Sequence, residues 1–330
     1  MEQLPLFSSD PQTQDEITRQ TPLIKTFDLF RLFLKREGKS VHTITSFISD
    51  LKLVTECLEP ERIIGQIQTS DLNAFLHWLE YDRRDSKGKH IPCSRKSYAR
   101  RVTTLKVYFK WLHGLKAIPH NPAEAILQRS GPAPLSNVLS MEQIRAALDA
   151  AQRMKKGDHQ DMRPEMLFRL LLDTGIKKSE TIRLTPADID RANPNNPILM
   201  VRHKVRNTYK ERRIDLAPEW VKVLDLYREQ YPPKPQKEEI ITCTARNLEY
   251  ILTDVGEAAG IPFKLSFEVM RWTCAVRDYR LGMDERSLRE KLGLSEVSWY
   301  ETSRKIKQLS EQLAGGQDRD HSPDEGDEIA

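Results

Sequence analysis

The chain has 330 residues, 38% hydrophobic and 30% charged, a composition that suits a helix-rich, water-exposed protein able to bury one large core or two moderate ones. No run of about 18 apolar residues occurs, which excludes a membrane-spanning helix, and the first residues lack the basic start and apolar core of a signal peptide. The formal net charge of +4 is unevenly divided: residues 1–20 set four acids against Arg19 and residues 311–330 set seven against Arg319, so residues 21–310 carry a net +13. Disordered acidic tails around a basic folded body are therefore expected, the distribution of a polyanion binder. Cys57, Cys93, Cys243 and Cys274 form no C-x-x-C pair, which favours a reduced, cytoplasmic chain over a disulfide framework or a zinc site.

Residues 21–127 read as a helical domain. "LIKTFDLFRLFLKR" sets Leu23, Phe27, Phe30 and Leu34 on one face, and "TSDLNAFLHWLEY" opens with Thr69, Ser70 or Asp71 as a cap before Leu72, Phe75, Leu76 and Leu79. "SRKSYARRVTTLKVYFKWLHGLK" offers Ser94 or Ser97 as a cap, a stripe of Val102, Leu105, Phe109 and Leu112, and Gly114 as a stop. Residues 128–140, rich in Pro, Gly and Ser, read as a linker. The second domain, 141–310, opens with a helix whose Ser140 and Gln143 form a capping-box pattern. "PILMVRHK" and "RRIDLA" predict paired strands, and helices are expected near 218–230, 244–259, 268–281, 284–292 and 304–313. The fold class is thus mainly α with a small β-sheet, in two domains.

Residues 83–116 hold eleven Lys or Arg and one Asp. Arg83, Arg84, Lys87, Lys89, Arg95, Lys96, Arg100, Arg101, Lys106 and Lys110 are candidates for contact with a phosphate backbone, since the helical ones fall mainly off the apolar stripe. A solvated helix face is the plain alternative, and the local concentration of positive charge argues for double-stranded DNA or RNA as partner. His90, His113, His120, His159 and His203 lack metal-ligand spacing, so no metal is expected, and Trp111, Trp220 and Trp272 read as core or interface residues.

Two motifs remain: "TGIKKSE" at 174–180, and "FEVMRWTCAVRDYRLGMDERSLREKLGLSEVS" from 267. The second matches the pattern H-x-L-R-H-T-f-A-…-G-x-d-…-i-…-L-G-H without a gap, through Met270, Arg271, Thr273, Ala275, Gly282, Asp284, Leu292 and Gly293. Together with the order of helical basic domain, linker, T-G motif and hairpin, this resembles the tyrosine recombinase (phage integrase, Xer-like) family across roughly residues 22 to 310. The resemblance implies a SAM-like core-binding domain followed by an integrase catalytic-type domain. It also implies cleavage of a DNA strand by a tyrosine that forms a 3′-phosphotyrosyl bond, with no metal or nucleotide cofactor.

By that resemblance, two arginines grip the scissile phosphate, a hairpin lysine protonates the leaving 5′-oxygen, two His or Trp positions assist, and a tyrosine attacks. The first arginine falls on Lys177, which keeps the charge but not the bidentate fork. Glu180 matches the family carboxylate, and the hairpin lysine falls on Lys204 or, because the turn reads as longer than usual, on Lys210. The first histidine falls on Glu268, the second arginine on Arg271, and the L-G-H histidine on Leu294. The nucleophile position is Ser303, with Tyr300 three residues early in a segment that reads as loop or helix start. The expectation is a DNA-binding member that has lost strand transfer; the competitors are an active recombinase using Tyr300 and a scaffold for partner recombinases. The face of Ile306, Leu309 and Leu313 would dock on a neighbouring protomer or on its own domain.

Overall fold

The computed structural model describes residues 17–127, 134–205, 208–233 and 238–317, with the backbone alone at 203–205, 208–210 and 315–317. It divides into two compact units between Pro134 and Leu135. The proline-rich segment read as a linker lies partly outside the described residues, and its second half belongs to the second unit. Leu139 is buried there and its N–H donates to Thr273 Oγ1 at 3.0 Å. The stretches read as tails also shrink: Ile17 is buried, the Gly65 N–H donates to Arg19 O, and the last helix runs to Gln317.

In the first unit, helices α1 (Phe27–Arg36), α2 (Val41–Leu58), α3 (Thr69–His77) and α4 (Arg95–Gly114) enclose one core. The expected stripes face inward, with Phe30, Leu34, Phe75, Leu105, Phe109 and Leu112 at most 1% exposed. Ser94 is the cap of α4, accepting the Ser97 N–H. For α3 none of the three expected residues is the cap: Gln68 is, and its N–H donates to Asp71, which sits at the third helical position. Tyr108 is fully buried on α4, edge-on to Phe30 at 5.1 Å between centroids, and its hydroxyl meets Thr26 Oγ1 at 2.5 Å. Thr26 gives its own proton to Leu23 O, so the tyrosine is the donor.

The second unit packs α5 (Met141–Arg153), α6 (Met162–Thr174) and α8 (Pro218–Gln230) around a core that includes Leu167, Phe168 and Trp220. The four-residue α7 (Lys178–Thr181) lies between α6 and a three-stranded antiparallel sheet of β3 (Ile189–Asp190), β4 (Ile198–Val205) and β5 (Thr208–Asp215). A small hairpin, β1 (Lys155–Lys156) and β2 (His159–Gln160), precedes α6. The strand pair was legible, but not its length: Val205 pairs with Thr208, so long strands take the place of the long turn. Then follow α9 (Ala245–Ala258), α10 (Phe267–Arg280), α11 (Glu285–Leu292) and α12 (Glu296–Gln317).

The last helix begins eight residues earlier than expected, because Ser295 Oγ accepts the Ser298 N–H and caps it. In its first turns Trp299 packs inward but Val297 and Tyr300 are exposed, so the apolar pattern there is too sparse for periodicity to mark. Ile306 and Leu309 are buried beside Ala275, Val276 and Leu288 of the same unit, with Leu313 packed against them. That face is therefore occupied within the unit, not left open for a neighbouring protomer. Trp111 and Trp220 are core residues, and Trp272 is half-buried against this same cluster. Among the described residues no helix is long and apolar enough to cross a membrane.

Removing the Phe30 ring (Phe30→Ala) is expected to cost about 3–5 kcal/mol in denaturant unfolding of the first unit. Tyr108→Phe, which removes only the hydroxyl bond to Thr26, should cost about 1 kcal/mol.

Candidate functional site

In the second unit the two motifs meet. Helix α6 ends at Gly175, whose left-handed φ of 58° turns the chain, and a Cβ there would stand 3.1 Å from Cys274 Sγ. The turn delivers Lys177 to the start of α7, where its N–H donates to Glu180 Oε2 at 2.8 Å. Helix α11 ends at Leu292 and Gly293, again with a left-handed glycine. Between these two helix ends lies Arg271: Nη1 donates to Gly175 O and Nη2 to Leu292 O, each at 2.5 Å. One guanidinium thus closes the C-termini of two helices, where carbonyls lack intrahelical partners and the dipole favours a cation.

Beside it stands Arg212, which neither motif includes. Its Nε donates to Lys291 O at 2.9 Å, and its fork grips Glu180 at 3.0 and 2.8 Å. The pair is buried, and a Cβ on Gly293 would stand 2.9 Å from Arg212 Nη1. A sequence signal does exist: Arg212 shares the inward parity of Ile214 and Leu216 along β5, so an arginine at a core register needed a carboxylate. Burial by itself raises the Glu180 carboxyl, but the hydrogen bonds and charge of Arg212 and the Lys177 N–H hold it below its ordinary value. Burial pushes Lys177 down, opposed by Glu180 and reinforced by the Arg271 and Arg212 charges, and burial likewise lowers Arg271.

A second network braces the site. Asp278 accepts Lys291 Nζ at 2.6 Å and Arg277 Nη2 at 2.7 Å, and Arg277 reaches Asp173 on α6 at 3.5 Å. Cys274 is sealed behind it, its thiol pushed up by burial to about 12.

The other expected positions scatter. Glu268 is exposed in the first turn of α10, where a helix N-terminus suits a carboxylate. Leu294 packs against the cluster of Ile306 and Leu309. Ser303 lies inside α12, its Oγ donating to Tyr300 O at 3.3 Å, while the Tyr300 side chain is 72% exposed one turn earlier. Of the two readings of this segment, loop or helix start, the structure has the helix, so neither residue can be moved independently of α12. Lys204 pairs with Tyr209 and Lys210 with His203, adjacent registers near the hairpin end. No group of three or more His, Cys, Asp and Glu side chains among the described residues could hold a metal ion.

In the first unit, the basic stretch forms a loop and the start of α4. The loop is closed by Asp85 N–H to Lys89 O and Ile91 N–H to Arg83 O, at 2.9 and 2.8 Å. Its one acid, Asp85, accepts the amides of Lys87 and Lys89. Arg84, Lys87, Lys89, Arg95, Lys96 and Lys110 are exposed; Lys106 is half-buried, and Arg83 lies over the Trp78 ring at 5.9 Å. Arg100 and Arg101 both turn to Asp50 on α2, at 2.7 and 3.5 Å.

A helical basic unit and an α+β unit carrying T-G and L-G motifs around an arginine are the two parts of a DNA strand-exchange fold. Residues 27–114 match the phage integrase N-terminal SAM-like domain and residues 137–305 match the phage integrase family, and the chain belongs to this family of tyrosine recombinases. Curated relatives include tyrosine recombinase XerC of Myxococcus xanthus, 27% identical and covering 84% of this chain and 92% of its own. Tyrosine recombinase XerD of Listeria innocua is 21% identical, with 82% and 90% covered. Among solved structures, the XerH site-specific recombinase on a palindromic difH substrate superposes with a TM-score of 0.66 at 15% identity, covering 93% of this chain and 92% of that one. A lambda integrase dimer bound to a COC′ core site gives 0.64 at 17% identity, with 98% and 86% covered.

Arg212→Leu strands a buried carboxylate and is expected to destabilise the second unit by about 3–5 kcal/mol in denaturant unfolding, whereas Glu180→Gln with Arg212→Leu should recover part of that loss. Because the folded Glu180 value lies below its ordinary 4.5, the contribution of the pair is full above 4.5 and is lost as pH falls through the folded value. The acid limb of a stability–pH profile should therefore flatten in Glu180→Gln.

Proposed function

We propose that this member of the family binds duplex DNA without cleaving it, acting in recombination as an accessory, architectural or regulatory subunit. The observation that carries this reading is the nucleophile position. Ser303 is fixed within α12 with its hydroxyl bonded to a backbone carbonyl, and no base among the described residues is hydrogen-bonded to it to activate it. Around it, Lys177 takes the role of the first phosphate arginine as a point charge, Arg271 that of the second, and Lys204 or Lys210 that of the hairpin acid. Glu268 and Leu294 replace groups that would donate to phosphate. Loss of one donor to a developing oxyanion costs about a hundred- to a thousandfold, and here several are changed together. What persists is positive charge, which suits binding more than turnover.

The basic face of the first unit supports the same reading. Helix α4 has Arg95 and Lys96 in its first turn and no acid there, the wrong sign for a helix N-terminus unless an anion is present. The solved relatives caught on DNA substrates lend weight to a phosphate backbone as that anion.

The test uses nicked duplexes from the DNA flanking the gene, run on paired native and SDS gels beside an active recombinase that traps on its own nicked site. A native shift without an SDS-resistant adduct is the expected result. An adduct that vanishes in Tyr300→Phe would establish the second reading, an active enzyme, which the exposure of Tyr300 on the same helix favours. Reversing Lys87, Lys89, Arg95 and Lys96 to Glu should weaken binding and lower the slope of log K against log salt by about 0.9 for each phosphate no longer neutralised. A scaffold that never touches DNA would show neither effect.

A further inference from the structure

Asp50 sits on α2 in the seam against α4, 2% exposed, among Ile48, Leu51 and Val54. A carboxylate in such a seam stabilises less than an apolar residue of similar size, so its presence calls for a geometric reason. Three side chains of α4 converge on it. Arg100 Nη2 donates to Oδ1 at 2.7 Å, Thr104 Oγ1 donates to Oδ2 at 3.0 Å, and Arg101 Nε stands 3.5 Å from Oδ1.

The two arginines are held differently. Arg101 is 11% exposed and its Nη1 donates to Cys93 Sγ at 2.8 Å, which ties down the residue before the α4 cap and with it the end of the loop bearing Lys87 and Lys89. Arg100 is 40% exposed. Its inner edge is fixed by Asp50, and its other N–H groups have no side-chain or backbone acceptor among the described residues. It is a planar fork held in one orientation with an open edge, unlike the flexible lysines around it.

We infer that Asp50 is a positioning residue of the DNA-binding face, presenting Arg100 as a preorganised, bidentate contact for a backbone phosphate. The ordering that a free arginine would undergo on binding is done in advance by a group that never touches the ligand. One carboxylate against two guanidiniums leaves the cluster net positive, so the attraction for a phosphodiester survives the pairing. This rests on the proposal that the unit binds DNA.

The experiment measures Kd for a fluorescein-labelled duplex against KCl concentration with the full chain, for wild type, Asp50→Asn, Arg100→Ala and the double variant, each checked for a cooperative thermal transition. Asp50→Asn and Arg100→Ala should each weaken binding about tenfold and lower the salt slope by about one, and the double variant should be no weaker than Arg100→Ala. Losses that multiply in the double variant would overturn the inference, since Asp50 would then act independently of Arg100. If Asp50→Asn lacks a folding transition, Arg100→Lys replaces it: an ammonium held by Asp50 has no outer edge, so weakened binding supports the inference and wild-type affinity overturns it. Failure of the wild type to bind would remove the DNA-binding proposal itself, and this inference with it; binding with independent losses removes only the inference.

Discussion

A guanidinium taken out of water must be satisfied or it costs several kcal/mol, and in this protein Arg271 is satisfied by the ends of two helices. Its position requires that α6 stop at Gly175 and α11 at Leu292, which explains the left-handed glycines that follow both. The Lys177 turn, the Glu180 carboxylate and the Arg212 fork are then arranged around a cation that is already fixed. Asp278, Lys291 and Arg277 hold the same helix ends from behind. The charged groups of the site and the integrity of the unit therefore share the same atoms.

The substitutions relative to the family pattern separate two properties that an active site normally combines. Lys177 and Arg271 both carry positive charge here, beside the Arg212–Glu180 pair. On the proposed correspondence with the family pattern, direction is reduced: a fork becomes an ammonium, a histidine position an exposed carboxylate at Glu268, and another a packed leucine at Leu294. Electrostatic attraction tolerates such loosening, whereas in-line displacement depends on placement to a fraction of an ångström. In the first unit the reverse holds, for Asp50 adds direction to a surface that charge alone would leave diffuse.

What the sequence made legible were features encoded locally. The Ser140–Gln143 box and the Ser94 cap are decided within four residues, and the strands from 198 and toward 215 by alternation; all are present. The T-G and L-G motifs were readable because a glycine with positive φ has few substitutes. Arg212 and Asp50 escape a reading by motif because each derives its meaning from a partner tens of residues away, Glu180 in one case and Arg100 in the other. Each nevertheless stands in a core register, and a charged residue at such a position is the sign to look for. The early start of α12 is hidden for a different reason: in its first turns Trp299 alone of the apolar residues packs inward, while Val297 and Tyr300 are exposed.

The double cap made by Arg271 changes how its survival should be interpreted. A residue that closes two helices is required by folding whether or not a reaction also draws on it. A change at position 271 would leave the terminal carbonyls of two helices open, a demand that no reaction imposes. An intact arginine there reports the architecture of the unit, and its presence argues neither for nor against turnover.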